Sequence, residues 1–449
     1  MTSDGAASRV IGGTAYILSM GCSKNTVDSE RFAAVLRGEG FVMASRAEGA
    51  EVCLVNTCGF LREAVEENIA AILDLAEMKS RGIVGRIAVV GCLVGRYGAD
   101  LGRDIPEVDF WGDCEDYASL LRALSPGACD LPRPGRGALP GGPSHVRYLK
   151  LAEGCDNRCS YCTIPSIRGG LRSAPIASLV GEAEALVTEG ASEICLVAQD
   201  LTAYGRDLGG GVTLTGLIDA LESSLPPDLW LRLLYLQPSG IDSGLLERVA
   251  GGRQVLPYLD MPIQHSSPEV LAAMNRASDS GKILEIFRTA RQIRQDFALR
   301  TTVMVGFPGE TRRDFDGLLR FLDEARADRV GAFAFSPEEG TPAASMPRQV
   351  PRRTKMARLE RLMAHQDGIS LSRGELFVGS ELDVLVDRET EPGTAEGRSF
   401  RDAPEVDGVV EVRGVPPDLG PGDRIRALVT DAYEHDMIAS HLTGGASHG

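Results

Sequence analysis

Short apolar segments alternate with longer amphipathic ones along most of the chain, and this alternation restricts the fold more than any other feature. Residues 14–22 (TAYILSMGC), 51–58 (EVCLVNTC) and 86–92 (RIAVVGC) each read as a strand. Between them lie helical patterns. One runs from about Val27 to Leu36, with Asp28 and Ser29 as cap residues and Gly38 and Gly40 as stops; LREAVEENIAAILDLAEM over 61–78 is another. Strand–helix alternation implies an α/β fold, a parallel sheet covered by helices. Such sheets carry their functional crevice at the carboxyl ends of the strands. All three strands run into a cysteine there: Cys22, Cys58 and Cys92.

The pattern breaks at residues 126–143, PGACDLPRPGRGALPGGP, where five prolines and five glycines occupy ten of eighteen positions. That composition excludes a helix or a central strand and reads as a linker. Beyond it the alternation resumes with six strand candidates: HVRYLKL, EICLVAQ, LWLRLLYL, VLPYLDMPI, LRTTVMVGF and RVGAFAF. Six consecutive strand–helix units predict a partial (β/α) barrel, with its chemistry on loops at the carboxyl face. From about Leu376 the segments ELDVLVD, GVVEVRGV and DRIRALVTDAY are short, β-rich and punctuated by Gly, Pro and Asp. They predict a small antiparallel β-barrel. The expected organisation is an N-terminal α/β parallel-sheet domain (1–125), a linker (126–143), a central domain (144–375) and a C-terminal barrel domain (376–449).

A chain of 449 residues has room for about three domains. With 43% hydrophobic and 24% charged residues it is an ordinary folded chain. No apolar run approaches the ~20 residues of a membrane helix, and MTSDGAASRVIGG lacks a basic start and an apolar core. A cytoplasmic protein with no membrane partner is expected. In that compartment thiols stay reduced, so ten cysteines point to metal binding or chemistry rather than disulfides. The net charge of −16 disfavours a general nucleic-acid binder.

The densest cysteine cluster is EGCDNRCSYC, with Cys155, Cys159 and Cys162 spaced C-x-x-x-C-x-x-C directly after the first strand of the central domain. A structural zinc ion takes four protein ligands, and a four-iron cubane has four corners. Three thiolates would hold three irons and leave the fourth open. A zinc site with a remote fourth ligand, or cysteines clustered in a core, are the plainer readings. Cys53 and Cys195 lie within strands and read as core packing; Cys114 is unassigned, and Cys129 in the linker reads as a spare thiol.

The C-x-x-x-C-x-x-C spacing resembles that of the radical S-adenosylmethionine enzymes. This resemblance implies a [4Fe-4S] cluster whose open iron is chelated by S-adenosylmethionine, and whose electron breaks the sulfonium C–S bond to give a 5′-deoxyadenosyl radical. GCSKNTVDSE (21–30), VNTCGF (55–60) and VVGC (89–92) in turn resemble the N-terminal domain of the methylthiotransferases, where three cysteines bind a second [4Fe-4S] cluster. The implied metal ligands are Cys22, Cys58, Cys92, Cys155, Cys159 and Cys162. Tyr161, Arg172, Gln199, Gln264, Gly306 and Pro308 are the implied contacts of S-adenosylmethionine. Gly306 and Pro308 stand in VGFPGE, whose glycines permit close backbone approach. Arg168 could also pair with the methionyl carboxylate, and His265 reads as a structural histidine rather than a catalytic one.

The resemblance covers nearly the whole chain, ending in a TRAM-like barrel, and two subclasses compete. SKNTVDSE after Cys22, FSPEEGTPAA (335–344) and GRSFRDAPEVDG (397–408) resemble the RimO type, which modifies an aspartate β-carbon of the small-subunit ribosomal protein numbered twelve. Ser23 departs from the proline expected there. The MiaB type, which modifies a transfer-RNA adenosine, is the alternative. Residues 381–440 hold fifteen Asp and Glu against six Arg and no Lys, a balance of −9. Such a barrel repels a polyanion and suits a basic ribosomal protein. An external electron donor and a sulfur donor are implied as further partners. A non-catalytic iron–sulfur scaffold or electron-transfer protein is the alternative from another class.

Overall fold

The computed structural model describes residues 12–124, 134–251, 254–276 and 279–442, so Cys129 lies outside the described residues. The chain divides into two compact units: Met1–Pro143 with Thr163–Gly170, and Ser144–Cys162 with Leu171–Gly449.

The first unit is a five-stranded, all-parallel sheet. Its elements are β1 (Gly13–Ser19), α1 (Ser23–Gly38), β2 (Phe41–Met43), β3 (Val52–Thr57), α2 (Arg62–Ser80), β4 (Arg86–Gly91), α3 (Cys92–Asp104), β5 (Phe110–Gly112) and α4 (Tyr117–Leu124), and a short α5 (Ile164–Arg168) joins them. The strand order is β2-β1-β3-β4-β5. Every residue of the central β3 is buried. Leu54, Ala88 and Val90 face Phe32, Leu36 and Leu121 on one side, while Cys53, Val55 and Val89 face Ile72 and Leu93 on the other. Burial on both faces is why these strands read as unbroken apolar runs.

Helix α1 starts four residues before the expected Val27. Asp28 and Ser29, expected as caps, sit fully buried inside it, and Cys22 holds the cap position in an extended conformation. The first turn is polar because its side chains serve the strand ends, so apolar periodicity could not reveal it. The three-residue strands β2 and β5 were equally silent in the sequence.

The second unit carries two three-stranded parallel sheets. The first is β6 (Val146–Lys150), β9 (Glu193–Val197) and β10 (Trp230–Leu233); the second is β11 (Tyr258–Asp260), β12 (Ala298–Val305) and β13 (Arg329–Ala334). A bridge between Leu231 and Val255 joins them into six strands in sequence order. Helices α6 (Ile176–Thr188), α7 (Leu214–Ser224), α8 (Ser243–Gly251), α9 (Pro268–Ala273), α10 (Ser280–Ile293), α11 (Arg312–Ala325) and α12 (Arg352–Gly374) complete the layer, and β7 (Ala152–Glu153) pairs with β8 (Arg172–Ser173). Leu149, Leu196, Leu231, Leu259 and Leu299 contribute to one large apolar core. With a period of two, the intervening Lys150, Glu193, Arg232, Asp260 and Arg300 point to the opposite, concave side.

The C-terminal strands β14 (Glu381–Glu391), β15 (Thr394–Arg398), β16 (Val410–Arg413), β17 (Arg424–Ala432) and β18 (Met437–His441) close a barrel. It differs from the expected antiparallel barrel in one pair, since β16 and β18 run parallel. The β15–β16 connection turns back as a plug. Arg232 donates to the carbonyls of Phe400 (2.8 Å) and Ser399 (3.3 Å), Arg329 pairs with Asp402 (2.7 Å), and Tyr258 donates to Asp407 (2.6 Å). Arg401 reaches Asp328 at 3.1 Å and Arg398 pairs with Glu193. Glu193, Tyr258 and Arg329 open β9, β11 and β13, and Asp328 immediately precedes β13, so the plug fills the amino-terminal end of the partial barrel, with Arg232 reaching it from the third position of β10.

Candidate functional site

In the first unit the candidate residues gather along the carboxyl edge of the sheet. β1, β3 and β4 are adjacent and in register, with Asn56 beside Val90 and Thr57 beside Gly91. Cys58 and Cys92 therefore follow as neighbours. Gly21, at φ +101°, lets the chain turn into α1 so closely that a Cβ there would stand 2.9 Å from the Cys58 Cβ. This brings Cys22 to the same edge. Buried amides hold the three turns together. Asn25 donates to the carbonyls of Met20 (2.8 Å) and Thr57 (2.9 Å), and Asn56 donates to the Asn25 carbonyl (2.8 Å) and to Ser29 (2.9 Å).

Two residues outside the expected set complete this edge. Cys114, just beyond β5, is buried and hydrogen-bonds to Cys92. Arg168 was one of three candidate partners for the methionyl group of S-adenosylmethionine. Instead it is buried in the first unit, its Nε donating to Cys92 Sγ at 3.1 Å. The hydrogen bond with Cys114 and the Arg168 charge outweigh burial and hold the Cys92 thiol below its usual range. Burial pushes Cys58 up to about 11. A metal group bound here must release protons from such thiols, so its uptake favours higher pH.

In the second unit Cys155, Cys159 and Cys162 lie on the loop after β6 and β7, at the carboxyl end of the first barrel strand. The loop is pinned from three sides. Ser160 donates its N–H to the Met274 carbonyl (3.0 Å) and its hydroxyl to the Ala273 carbonyl (2.8 Å), Ala343 donates to the Ser160 carbonyl (2.9 Å), and Asn157 donates to Asp200 (2.7 Å). Arg276, which sequence reasoning did not single out, is buried beneath it. It donates to Cys159 Sγ (3.9 Å), the Tyr161 hydroxyl (3.4 Å) and the Pro262 carbonyl (2.8 Å). Its only sequence signal was a cation following a short helix, which is no signal at all. Burial pushes the Cys155 thiol up.

The expected cofactor contacts scatter around this loop. Tyr161 packs edge-on against Phe307, with centroids 6.4 Å apart. Arg172 is exposed on β8, beside Glu153. Gln199 follows β9 and is half-buried. Gly306 sits at φ +75°, but the space of its missing Cβ is taken by the Lys355 side chain, so its freedom serves α12 packing. Pro308 is buried and borders a groove of about 940 Å³ with Ser267, Asp314 and Arg348. Gln264 is the most telling. It lies at φ +69° in a three-residue turn closed by His265 N–H to the Ile263 carbonyl (2.9 Å), a sparsely populated backbone state that clusters at functional sites. Among the described residues its buried Oε1 has no hydrogen-bond partner. Cys53 and Cys195 are both fully buried, Cys53 in the apolar core of the first unit and Cys195 beside Glu193 on β9, its Sγ 3.8 Å from Glu193 Oε1.

Among the described residues, no three His, Cys, Asp or Glu side chains converge closely enough for a single ion. A cubane asks for something else, one thiolate per corner iron, a demand met by three cysteines on separate turns or spaced along one loop. Both triads therefore have the donor chemistry of an iron–sulfur site.

Comparison with known proteins agrees with this layout. Residues 14–112 match the uncharacterized protein family UPF0004, 149–322 the radical SAM superfamily, and 378–441 the TRAM domain. The chain is 43% identical over 436 residues to a protein named ribosomal protein uS12 methylthiotransferase RimO from Anaeromyxobacter sp. (strain Fw109-5), covering 94% of this chain and 92% of the relative. A protein of the same name from Geobacter sulfurreducens is 41% identical, with 95% and 98% covered. Among solved structures, the radical S-adenosylmethionine methyltransferase TsrM from Kitasatospora setae is similar in fold, with a TM-score of 0.54 at 15% identity over 86% of this chain and 80% of that one.

Proposed function

The chain belongs to the family of ribosomal protein uS12 methylthiotransferases, and from that premise we propose that it places a methylthio group on the β-carbon of a uS12 aspartate. Cys155, Cys159 and Cys162 would hold one iron–sulfur cluster and Cys22, Cys58 and Cys92 a second. The observation that carries this reading is the pair of cysteine triads, each at the carboxyl edge of a parallel sheet within one chain. When bound, the clusters and S-adenosylmethionine supply one-electron chemistry that no ionisable side chain can perform on an unactivated C–H bond.

The protein's own residues bind, orient and exclude water. Arg276 fixes Cys159 and Tyr161, while Asn157 and Ser160 pin the loop between the cysteines. Gln264 offers an unmet acceptor at a strand's carboxyl end, suited to a donor on the cofactor or substrate. The plug fills the opposite end of the partial barrel, which leaves the carboxyl side for substrate. The acidic C-terminal barrel favours a basic protein over a transfer RNA. The reaction draws on an external electron donor and a sulfur donor. No helix among the described residues is long and apolar enough to cross a membrane, and we place the enzyme in the cytoplasm with its substrate.

Two substitutions test the assignment. Cys155→Ala should stop formation of 5′-deoxyadenosine in an anaerobic assay. Cys58→Ala should retain that cleavage while uS12 gains no methylthio mass. Persistent cleavage in the first variant, or normal product in the second, refutes the corresponding site.

A further inference from the structure

We propose that Arg168 is a positioning residue of the first unit's cluster, holding the Cys92 ligand and raising the cluster's reduction potential. The inference rests on the reading that Cys22, Cys58 and Cys92 bind a cluster.

Arg168 follows Cys162 by six residues in the sequence, yet the segment Thr163–Gly170 belongs to the first unit. Its side chain is 1% exposed. The guanidinium spends its donors on three groups of the sheet edge: Nε on Cys92 Sγ (3.1 Å), Nη1 on Asp28 Oδ2 (3.1 Å) and Nη2 on Asn25 Oδ1 (2.8 Å). Asn25 cannot turn away, because its amide nitrogen is held by the Met20 and Thr57 carbonyls. The Asn25 Oδ1 also lies 3.8 Å from Cys22 Sγ. One planar fork therefore ties the turn after β4 to the turn after β1.

A buried cation is costly without a counter-charge, and the fully buried Asp28 provides it. The pair is close to neutral, so what the thiolate receives is chiefly a directed N–H donor. Donors to a ligand sulfur stabilise the reduced cluster, whose sulfurs carry more charge, and so raise its potential. A lysine would keep the charge but could not serve three acceptors in one plane.

The test uses the full chain with Cys155, Cys159 and Cys162 replaced by alanine, reconstituted without oxygen, so that only the first unit's site can load. About four iron and four sulfide per chain would establish that cluster. An EPR-monitored redox titration then compares this parent with Arg168→Lys and with Asp28→Asn/Arg168→Met, which removes both charges together. The double variant should show a more negative potential and a changed EPR signal, with Arg168→Lys in between. If the double variant fails to load and Arg168→Lys loads, the donor role stands. Failure of both to load reduces Arg168 to packing and overturns the proposal. Normal iron with unmoved potential and signal overturns the proposal alone. An iron-free parent sinks the underlying reading and the proposal with it.

Discussion

His265 shows how burial sets the state of one residue. It is fully buried, and its Nδ1 accepts the Ser267 N–H at 2.9 Å, so the ring proton sits on Nε2. Burial holds its pKa down to about 4, against an ordinary 6.5. Between these values the unfolded chain takes up a proton that the native ring refuses. Stability should therefore fall as pH drops from about 6.5 towards 4, by up to ~3 kcal/mol for this one group. Urea unfolding of the metal-free protein at several pH values measures it. His265→Gln should flatten the profile in that window, and an unchanged slope would place the loss elsewhere.

At the scale of elements, the plug between β15 and β16 depends on buried charge. Burial would raise the Glu193 carboxyl, but Arg232 and Arg398 outweigh it and hold it below its usual range. Asp328 is likewise depressed against its burial by Arg401, Arg373 and Arg291. Glu193→Gln keeps the shape and takes the carboxylate from the fully buried Arg232, while Arg398 keeps Asp387 at 2.8 Å. It should destabilise the second unit by about 3–5 kcal/mol, read as a lower urea midpoint. Arg388→Ala, at the exposed pair with Glu396 (2.7 Å), should cost under about 1 kcal/mol by the same measurement. Equal losses in the two variants would mean that the plug is not held by charge.

For the whole molecule, the plug changes the meaning of the acidic balance. Asp402 and Asp407 are spent on Arg329 and Arg300, and Arg398 and Arg401 are also buried, so neither sign of these charges faces a partner. Glu389 and Glu391 at the β14–β15 turn, with Asp418, Asp423 and Asp431, remain exposed. They should act mainly on encounter with a basic protein, not on the final affinity. Glu389→Lys/Glu391→Lys should slow association with uS12 several-fold at low salt in stopped-flow measurements. The difference should shrink at high salt, where the screening length falls below ~10 Å. A salt-independent defect would contradict this.

Much of the protein was legible in the chain itself. Cysteine spacing, strand–helix alternation and the Pro/Gly break are local, and local patterns marked both triads and the three kinds of fold. Three-residue strands and the polar first turn of α1 carry too little periodicity to read. Arg168, Arg276 and Cys114 could not have been placed from spacing, because each acts on a residue 22 to 117 positions away. Where a cysteine stands on its strand or loop follows from its neighbours in sequence. Which cation steadies it, and which end of a barrel is filled, were decided only when distant segments packed together and buried charges had to find partners.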